Sequence, residues 1–124
     1  MAWSVSPPTP DLSACRLTFT GATSSDDMTH AFEQTARVCL EHDVWRVLTD
    51  ATAMTAAHSV IDVYRLVTTI ADLGVQDTFR EALIAPTDAP ARENVRFWED
   101  AAVNRGLACK VFATEAEAVF WLLA

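Results

Sequence analysis

Glycine is scarce in this chain, and its scarcity bears on nucleotide chemistry. The 124 residues include only three glycines, Gly21, Gly74 and Gly106, which lie far apart. The phosphate-binding loops of nucleotide enzymes need several glycines within a few residues, so that the backbone can approach the phosphates closely. The chain has no such loop, and this disfavours a nucleotide-dependent enzyme.

Basic residues are also few. Nine lysines and arginines stand against seventeen aspartates and glutamates, which gives a formal net charge of −8. A surface of this sign repels a phosphate backbone and an anionic membrane. We therefore expect no nucleic acid partner.

Long apolar runs are missing as well. No stretch approaches the roughly 20 apolar residues that a membrane-spanning helix requires. The first six residues, MAWSVS, lack a basic start and an apolar run, and prolines follow them, so they do not have the pattern of a targeting segment. These features predict a cytoplasmic protein without a membrane span.

Clustered metal ligands are absent too. The three histidines stand apart from one another, and no pair has a spacing typical of metal sites. The three cysteines, Cys15, Cys39 and Cys109, are odd in number and lie in apolar surroundings, which favours free thiols in the core. We predict neither a metal nor a cofactor.

What the chain does have is enough apolar material for one folded domain. Hydrophobic residues make up 51% of the sequence, and a chain of this length can bury a core without metals or disulfides. We predict a single domain over residues 1–124. Pro7, Pro8 and Pro10 remove backbone donors, so residues 1–12 should be irregular, with at most a short edge strand at Trp3 to Val5.

After residue 12 the periodicity alternates between that of strands and that of helices. Strands are predicted at residues 15–20, 44–51, 81–85 and 109–112, with Gly21 ending the first. Between and after them, capping residues and stripes at spacings of three and four predict four helices. This order predicts an α/β fold, a four- to five-stranded, mostly parallel sheet flanked by about four helices. The strand at 44–51 is the most uniformly apolar, so it should be central.

The second helix is predicted from a stripe of apolar residues. Its apolar residues recur at helical spacing, and Gly74 stands where a left-handed C-terminal residue is expected. The buried stripe is predicted to consist of Val60, Tyr64, Val67, Ile70 or Ala71, and Leu73.

The junction between the central strand and this second helix is the predicted functional site. Side chains leaving a parallel strand and the free amides of the next helix start commonly form a ligand site together. Here the strand passes through a hydroxyl-rich turn into the helix. The candidate binding or regulatory residues are Asp50, Thr52, Thr55, His58, Ser59, Asp62 and Tyr64.

Each principal candidate has a simpler structural role beside the functional one. Asp50 can accept hydrogen bonds from its own turn rather than contact a ligand. Ser59 can cap the second helix, or it can carry a phosphate that the helix start would stabilise. A serine hydrolase built from Ser59, His58 and Asp62 is a further alternative, although neighbouring residues at a helix start rarely face one another.

Four segments together resemble STAS-type domains, in the branch of the SpoIIAA-like anti-sigma-factor antagonists. They are LTFTG at 17–21, RVLTD at 46–50, FWEDAAVNRG at 97–106 and VFATEAEAVFWL at 111–122. The likeness runs from about residue 15 to residue 123. It implies a four- or five-stranded sheet flanked by helices, no catalytic residues, and regulation through protein or small-ligand contacts.

The resemblance also implies a particular regulatory serine. In these antagonists a partner kinase of the anti-sigma-factor type phosphorylates a serine at the start of the helix after the central strand. Ser59 matches by position, but its neighbours are Ala57, His58 and Val60, without the family's preceding aspartate and following serine or glycine. Similar sheets in lipid-carrying domains hold an apolar ligand.

The sequence therefore predicts a non-enzymatic regulatory or interaction domain that binds a protein or a small ligand at the junction of residues 50–62. The alternatives are a carrier of an apolar or anionic small molecule and, less favoured, the small serine hydrolase. The tryptophans and the apolar last helix also predict a homodimer, because they exceed what the packed helices need to bury.

Overall fold

A computed structural model describes residues 2–56, 60–75 and 77–124, with the side chains of residues 56, 60 and 61 left undescribed. Its strands and helices alternate along the chain after an initial pair of strands. In chain order they are β1 (Trp3–Ser6), β2 (Cys15–Thr23), α1 (Ser25–His42), β3 (Arg46–Ala56), α2 (Val60–Ala71), β4 (Arg80–Ile84), α3 (Ala89–Asn104), β5 (Ala108–Phe112) and α4 (Glu115–Leu123).

The strands form one sheet in the order β1-β2-β3-β4-β5. Strand β1 pairs antiparallel with β2, and every other neighbouring pair is parallel. The predicted α/β fold with a mostly parallel five-stranded sheet and four helices is therefore confirmed. The central position of β3 and the short edge strand near the N-terminus are confirmed as well.

Helices cover the two faces of the sheet unequally. One face packs with α1, α2 and α3 into the larger apolar cluster, which includes Leu17, Phe19, Val47, Leu83 and Trp98. The other face packs with α4 and with Ala14 of the segment before β2, through Leu48, Ala82, Ile84, Ala118 and Leu122. This division follows from the alternation of side chains along each strand, which sends neighbouring residues to opposite faces.

Strand β2 does not end at Gly21, contrary to the prediction. Gly21 has a φ of 71°, and the pairing of β2 with β3 shifts register between Thr18 and Thr20. The extra residue of this bulge lies on β3, between Asp50 and Ala53, and Gly21 beyond it still pairs with Met54. Strand β2 therefore continues to Thr23.

This continuation also corrects the predicted end of β3. Gly21, Ala22 and Thr23 pair with Met54, Thr55 and Ala56, so β3 runs five residues beyond the predicted position 51. Thr52 and Thr55 lie in a strand and not in a turn, which suits the β-branched side chain of threonine.

The predicted buried stripe of α2 is wrong at two positions. Tyr64 and Leu73 are 46% and 52% exposed, whereas Val63, Leu66, Val67 and Ile70 are buried. Helical spacing allows adjacent faces with similar apolar content, and the face that includes Val63 buries branched aliphatic side chains and leaves the phenol in water. Gly74 has the expected positive φ, 70°.

Candidate functional site

At the first residues of the predicted junction, inside β3, Asp50 is hydrogen bonded to Thr52. Asp50 Oδ1 accepts from the backbone N–H of Thr52 at 3.0 Å and from its hydroxyl at 2.6 Å. The Thr52 carbonyl in turn accepts from the backbone N–H of Thr87 at 3.2 Å. Asp50 therefore accepts hydrogen bonds from its own local segment, and Thr55 lies exposed further along β3.

The start of α2, at the other end of the junction, contacts the neighbouring helices α1 and α3. The Ser25 hydroxyl donates to the Asp62 carboxylate, which links the starts of α1 and α2. The Tyr64 ring meets the Phe97 ring edge-on, with centroids 5.4 Å apart and an interplanar angle of 60°. Asp50 and Asp62 thus have different partners. His58 and Ser59 lie outside the described residues, as do the predicted cap, phosphorylation and triad that involve them.

A buried glutamate is the most unusual group in the described structure, and the sequence reasoning missed it. Glu81 lies near the start of β4 and is 1% exposed. Its Oε2 is 2.7 Å from the Thr49 hydroxyl, and its Oε1 accepts from the Trp98 indole N–H at 2.8 Å and from the Cys109 thiol at 3.6 Å. Side chains from β3, β5 and α3 therefore converge on one carboxyl group.

Desolvation controls the protonation of this group. Burial raises the pKa of the Glu81 carboxyl above its usual value, and the hydrogen bonds from Thr49, Trp98 and Cys109 oppose only part of that rise. Burial and the neighbouring Glu81 likewise raise the pKa of the Cys109 thiol. A carboxyl in such surroundings favours its neutral form because an isolated buried charge is costly.

This glutamate lies beside an apolar cavity of about 20 Å³. That volume has room for roughly one water molecule. Its apolar walls come from three strands and three helices, and they include Phe19, Met28, Phe32, Met54, Val63, Leu83, Val95 and Trp98. The polar lining residues are Thr49, Glu81 and Asn94.

The cavity adjoins the predicted junction from the inside. Met54 lies near the end of β3, and Val63 lies in the first turns of α2; both line the cavity. The region predicted from sequence is therefore close to the cavity, but the side chains that meet there are core residues rather than the predicted hydroxyls and carboxylates.

The signal for this cavity was present in the sequence, although it was weak. Glu81 is a charged residue in the short apolar strand REALI, and charged residues are rarely fully buried without partners. Its partners Thr49, Trp98 and Cys109 are distant in sequence, so no local motif joins them.

Two further cysteines meet in the same core. The Sγ atoms of Cys15 and Cys39 lie 3.4 Å apart, and all three cysteines are free and buried, as predicted. Within the described part of the chain, no group of three or more His, Cys, Asp or Glu side chains is placed to hold a metal ion. Among the same residues, no helix is long and apolar enough to cross a bilayer.

Comparison with solved structures finds a similar chain. It is an uncharacterized protein from the DUF3478 family with a SpoIIAA-like fold, from Shewanella loihica PV-4, whose crystal structure was determined at 2.25 Å resolution. The match has a TM-score of 0.64 at 15% sequence identity, and it covers 98% of this chain and 94% of the other. The fold is SpoIIAA-like.

The SpoIIAA-like fold confirms what the resemblance over residues 15–123 implied about architecture. No family model matches the chain, and no curated protein matches it.

Proposed function

We propose that this SpoIIAA-like domain is a non-enzymatic binding domain and that its ligand is a small, largely apolar molecule held in the cavity beside Glu81. The observation that carries the proposal is the lining itself, in which apolar side chains from β2, β3, β4 and three helices surround a few polar groups. Ligand pockets of proteins usually combine apolar walls with a small number of placed polar groups.

The side chains around the cavity can adapt to a ligand. Met28 from α1 and Met54 from β3 both line the cavity. Methionine is unbranched and fills irregular space, so it can change rotamer at low cost. A ligand larger than a water molecule enters by displacing these two side chains.

The cavity also suggests how binding could be relayed. Met54 and Val63 flank the strand-to-helix junction, so a ligand that moves them acts on the segment where SpoIIAA-like proteins are regulated, according to the resemblance. In this proposal ligand binding inside the core changes the surface that a protein partner contacts at residues 50–62. Phosphorylation of Ser59 by an anti-sigma-factor-type kinase remains a prediction.

Native mass spectrometry of the freshly purified protein tests the proposal. We expect a bound small molecule that denaturation releases and that the Val63→Ile variant retains less well, because isoleucine adds one methylene to the cavity wall. Val119→Ile is the matched control, since Val119 packs on the other face of the sheet. Protein that is consistently empty, and that also takes up no apolar probe, would contradict the proposal.

A hydrolytic activity is the competing function. A serine-directed fluorophosphonate should not label the protein, and a panel of esters, phosphates and thioesters should show no turnover above that of a Ser59→Ala, Asp50→Asn variant. Turnover that this variant loses would replace the binding function with an enzymatic one.

A further inference from the structure

At the polar end of the cavity, the groups around Glu81 determine which of its two carboxyl oxygens accepts hydrogen bonds. Glu81 Oε1 receives the Trp98 indole N–H and the Cys109 thiol. An indole nitrogen can only donate, and a thiol acts here as a weak donor. Oε1 therefore acts as an acceptor, and a proton bound to this carboxyl belongs on Oε2.

Oε2 faces a single described partner, the Thr49 hydroxyl, which lies 2.7 Å away and donates to Oε2 when the carboxyl is ionised. When Glu81 is neutral, its O–H donates to Thr49 Oγ1. The threonine oxygen then serves as the acceptor, and its own hydrogen can rotate toward another group. Because Thr49 also lines the cavity, that hydrogen is available to a ligand.

The charge of the side chains that line the cavity indicates which class of ligand can bind there. No described residue that lines it is a lysine, arginine or histidine. A carboxylate or phosphate ligand would therefore be desolvated without a counter-charge, which is costly. A neutral Glu81, already hydrogen bonded through both oxygens, offers little to an ammonium group.

We propose that the cavity selects uncharged, largely apolar molecules that carry one hydrogen-bond acceptor, such as a ketone, aldehyde or ester, and that the Thr49 hydroxyl, oriented by Glu81, donates to this acceptor. This inference rests on the proposed function. It makes Thr49 a ligand contact and Glu81 a positioning residue.

Three probes of matched size test this selection: acetophenone, ethylbenzene and 1-phenylethylamine. Binding is followed by the ¹H–¹⁵N signal of the Trp98 indole, assigned with the Trp98→Phe variant. We expect acetophenone to bind about tenfold more tightly than ethylbenzene, which is the contribution of roughly one hydrogen bond. The carbonyl stretch of bound acetophenone should shift to lower frequency, as it does on accepting a hydrogen bond.

The Thr49→Val variant removes the hydroxyl and keeps the shape of the side chain. We expect it to bind acetophenone and ethylbenzene about equally and to lose the infrared shift. Thr35→Val is the matched control, because Thr35 is also buried but donates within α1 to the Ala31 carbonyl. That control should keep the tenfold preference. Glu81→Gln, whose amide can also donate to Thr49 Oγ1, should keep much of it.

The outcomes separate the two proposals. Equal binding of acetophenone and ethylbenzene by the native protein overturns the selection while the binding function stands. Tighter binding of 1-phenylethylamine also overturns it, because the carboxyl would then act as an anion. If none of the three probes moves the Trp98 signal at saturating concentration, the proposed function fails as well.

Discussion

The indole N–H of Trp98 donates to Oε1 of Glu81 across 2.8 Å, in a part of the core where both side chains are buried. The bond joins α3 to β4 through the middle of the larger apolar cluster. Trp98 also stacks on Phe32, with ring centroids 4.7 Å apart. The tryptophan therefore connects the polar end of the cavity to helix α1.

Removing this donor should destabilise the domain. Trp98→Phe keeps an aromatic ring beside Phe32 but leaves Glu81 Oε1 with the weak thiol donor alone. We expect the free energy of unfolding to fall by about 1–3 kcal/mol, the usual cost of a buried polar group that loses its partner. Urea denaturation followed by circular dichroism measures it.

A second background separates the hydrogen bond from the change in packing. In a Glu81→Leu protein no carboxyl remains, so Trp98→Phe should cost less there than in the native protein. An equal cost in both backgrounds would mean that the ring volume alone accounts for the loss.

Stability should depend on pH through Glu81. The folded-state pKa of this carboxyl is raised above its ordinary value of 4.5, so the folded protein holds a proton that the unfolded chain releases. Its favourable contribution is complete below pH 4.5 and is lost as pH rises through the folded-state pKa. Glu81→Gln lacks this titration and supplies the reference.

Urea unfolding of both proteins at successive pH values from about 4.5 upward measures the difference. We expect the native protein to lose stability relative to Glu81→Gln as pH increases, while all other carboxyl groups cancel in the comparison. The raised pKa of Cys109 keeps that neighbouring thiol protonated over the neutral range. A difference that does not vary with pH would contradict the burial of a titrating carboxyl.

Edge strand β5 is protected by a side chain from α3. Glu99 Oε2 accepts the backbone N–H of Val111 at 2.6 Å. Unpaired N–H groups at a sheet edge promote association with other chains. We expect Glu99→Ala to lower stability by about 1–2 kcal/mol and to increase aggregation in light scattering. Glu93→Ala, an exposed change on the same helix, should do neither.

Self-association is expected through helix α4. Phe120 is 81% exposed, and Leu123 on the same helix is also exposed. Exposed apolar side chains of this size often mark an interface between subunits. Multi-angle light scattering should detect a homodimer that Phe120→Ser weakens and Val103→Ser, on α3, leaves intact. A native protein that remains monomeric at high concentration would refute this.

The elements were predictable because their information is local. Alternation at Cys15, Leu17 and Phe19 predicts β2. A serine at position 24 or 25 and Thr114 are typical helix caps, and in the structure Ser24 and Thr114 cap α1 and α4. The extension of β3 is not predictable in the same way, because it depends on pairing with residues 21–23 of β2, which are distant in sequence. Local patterns therefore predict the order of the strands and helices better than the residues at which they end.

The site was harder to predict for the same physical reason. Asp50 and Thr52 were recognised together because they are neighbours in sequence, and they do bond to one another. Glu81, Thr49 and Trp98 meet only after β4, β3 and α3 have packed together, so no spacing in the sequence joins them. Glu81 differs from the other sixteen acidic residues in that its side chain is almost completely buried, and no sequence motif marks that difference.

Methyl NMR of the protein titrated with acetophenone tests the binding cavity most directly. Met28 and Met54 line the cavity, and Val119 lies on the opposite side of the sheet. We expect the two methionine methyl signals to shift together along one saturation curve while the Val119 methyls stay in place. Methionine signals that do not move at saturating probe, or that move no more than those of Val119, would contradict a ligand site beside Glu81.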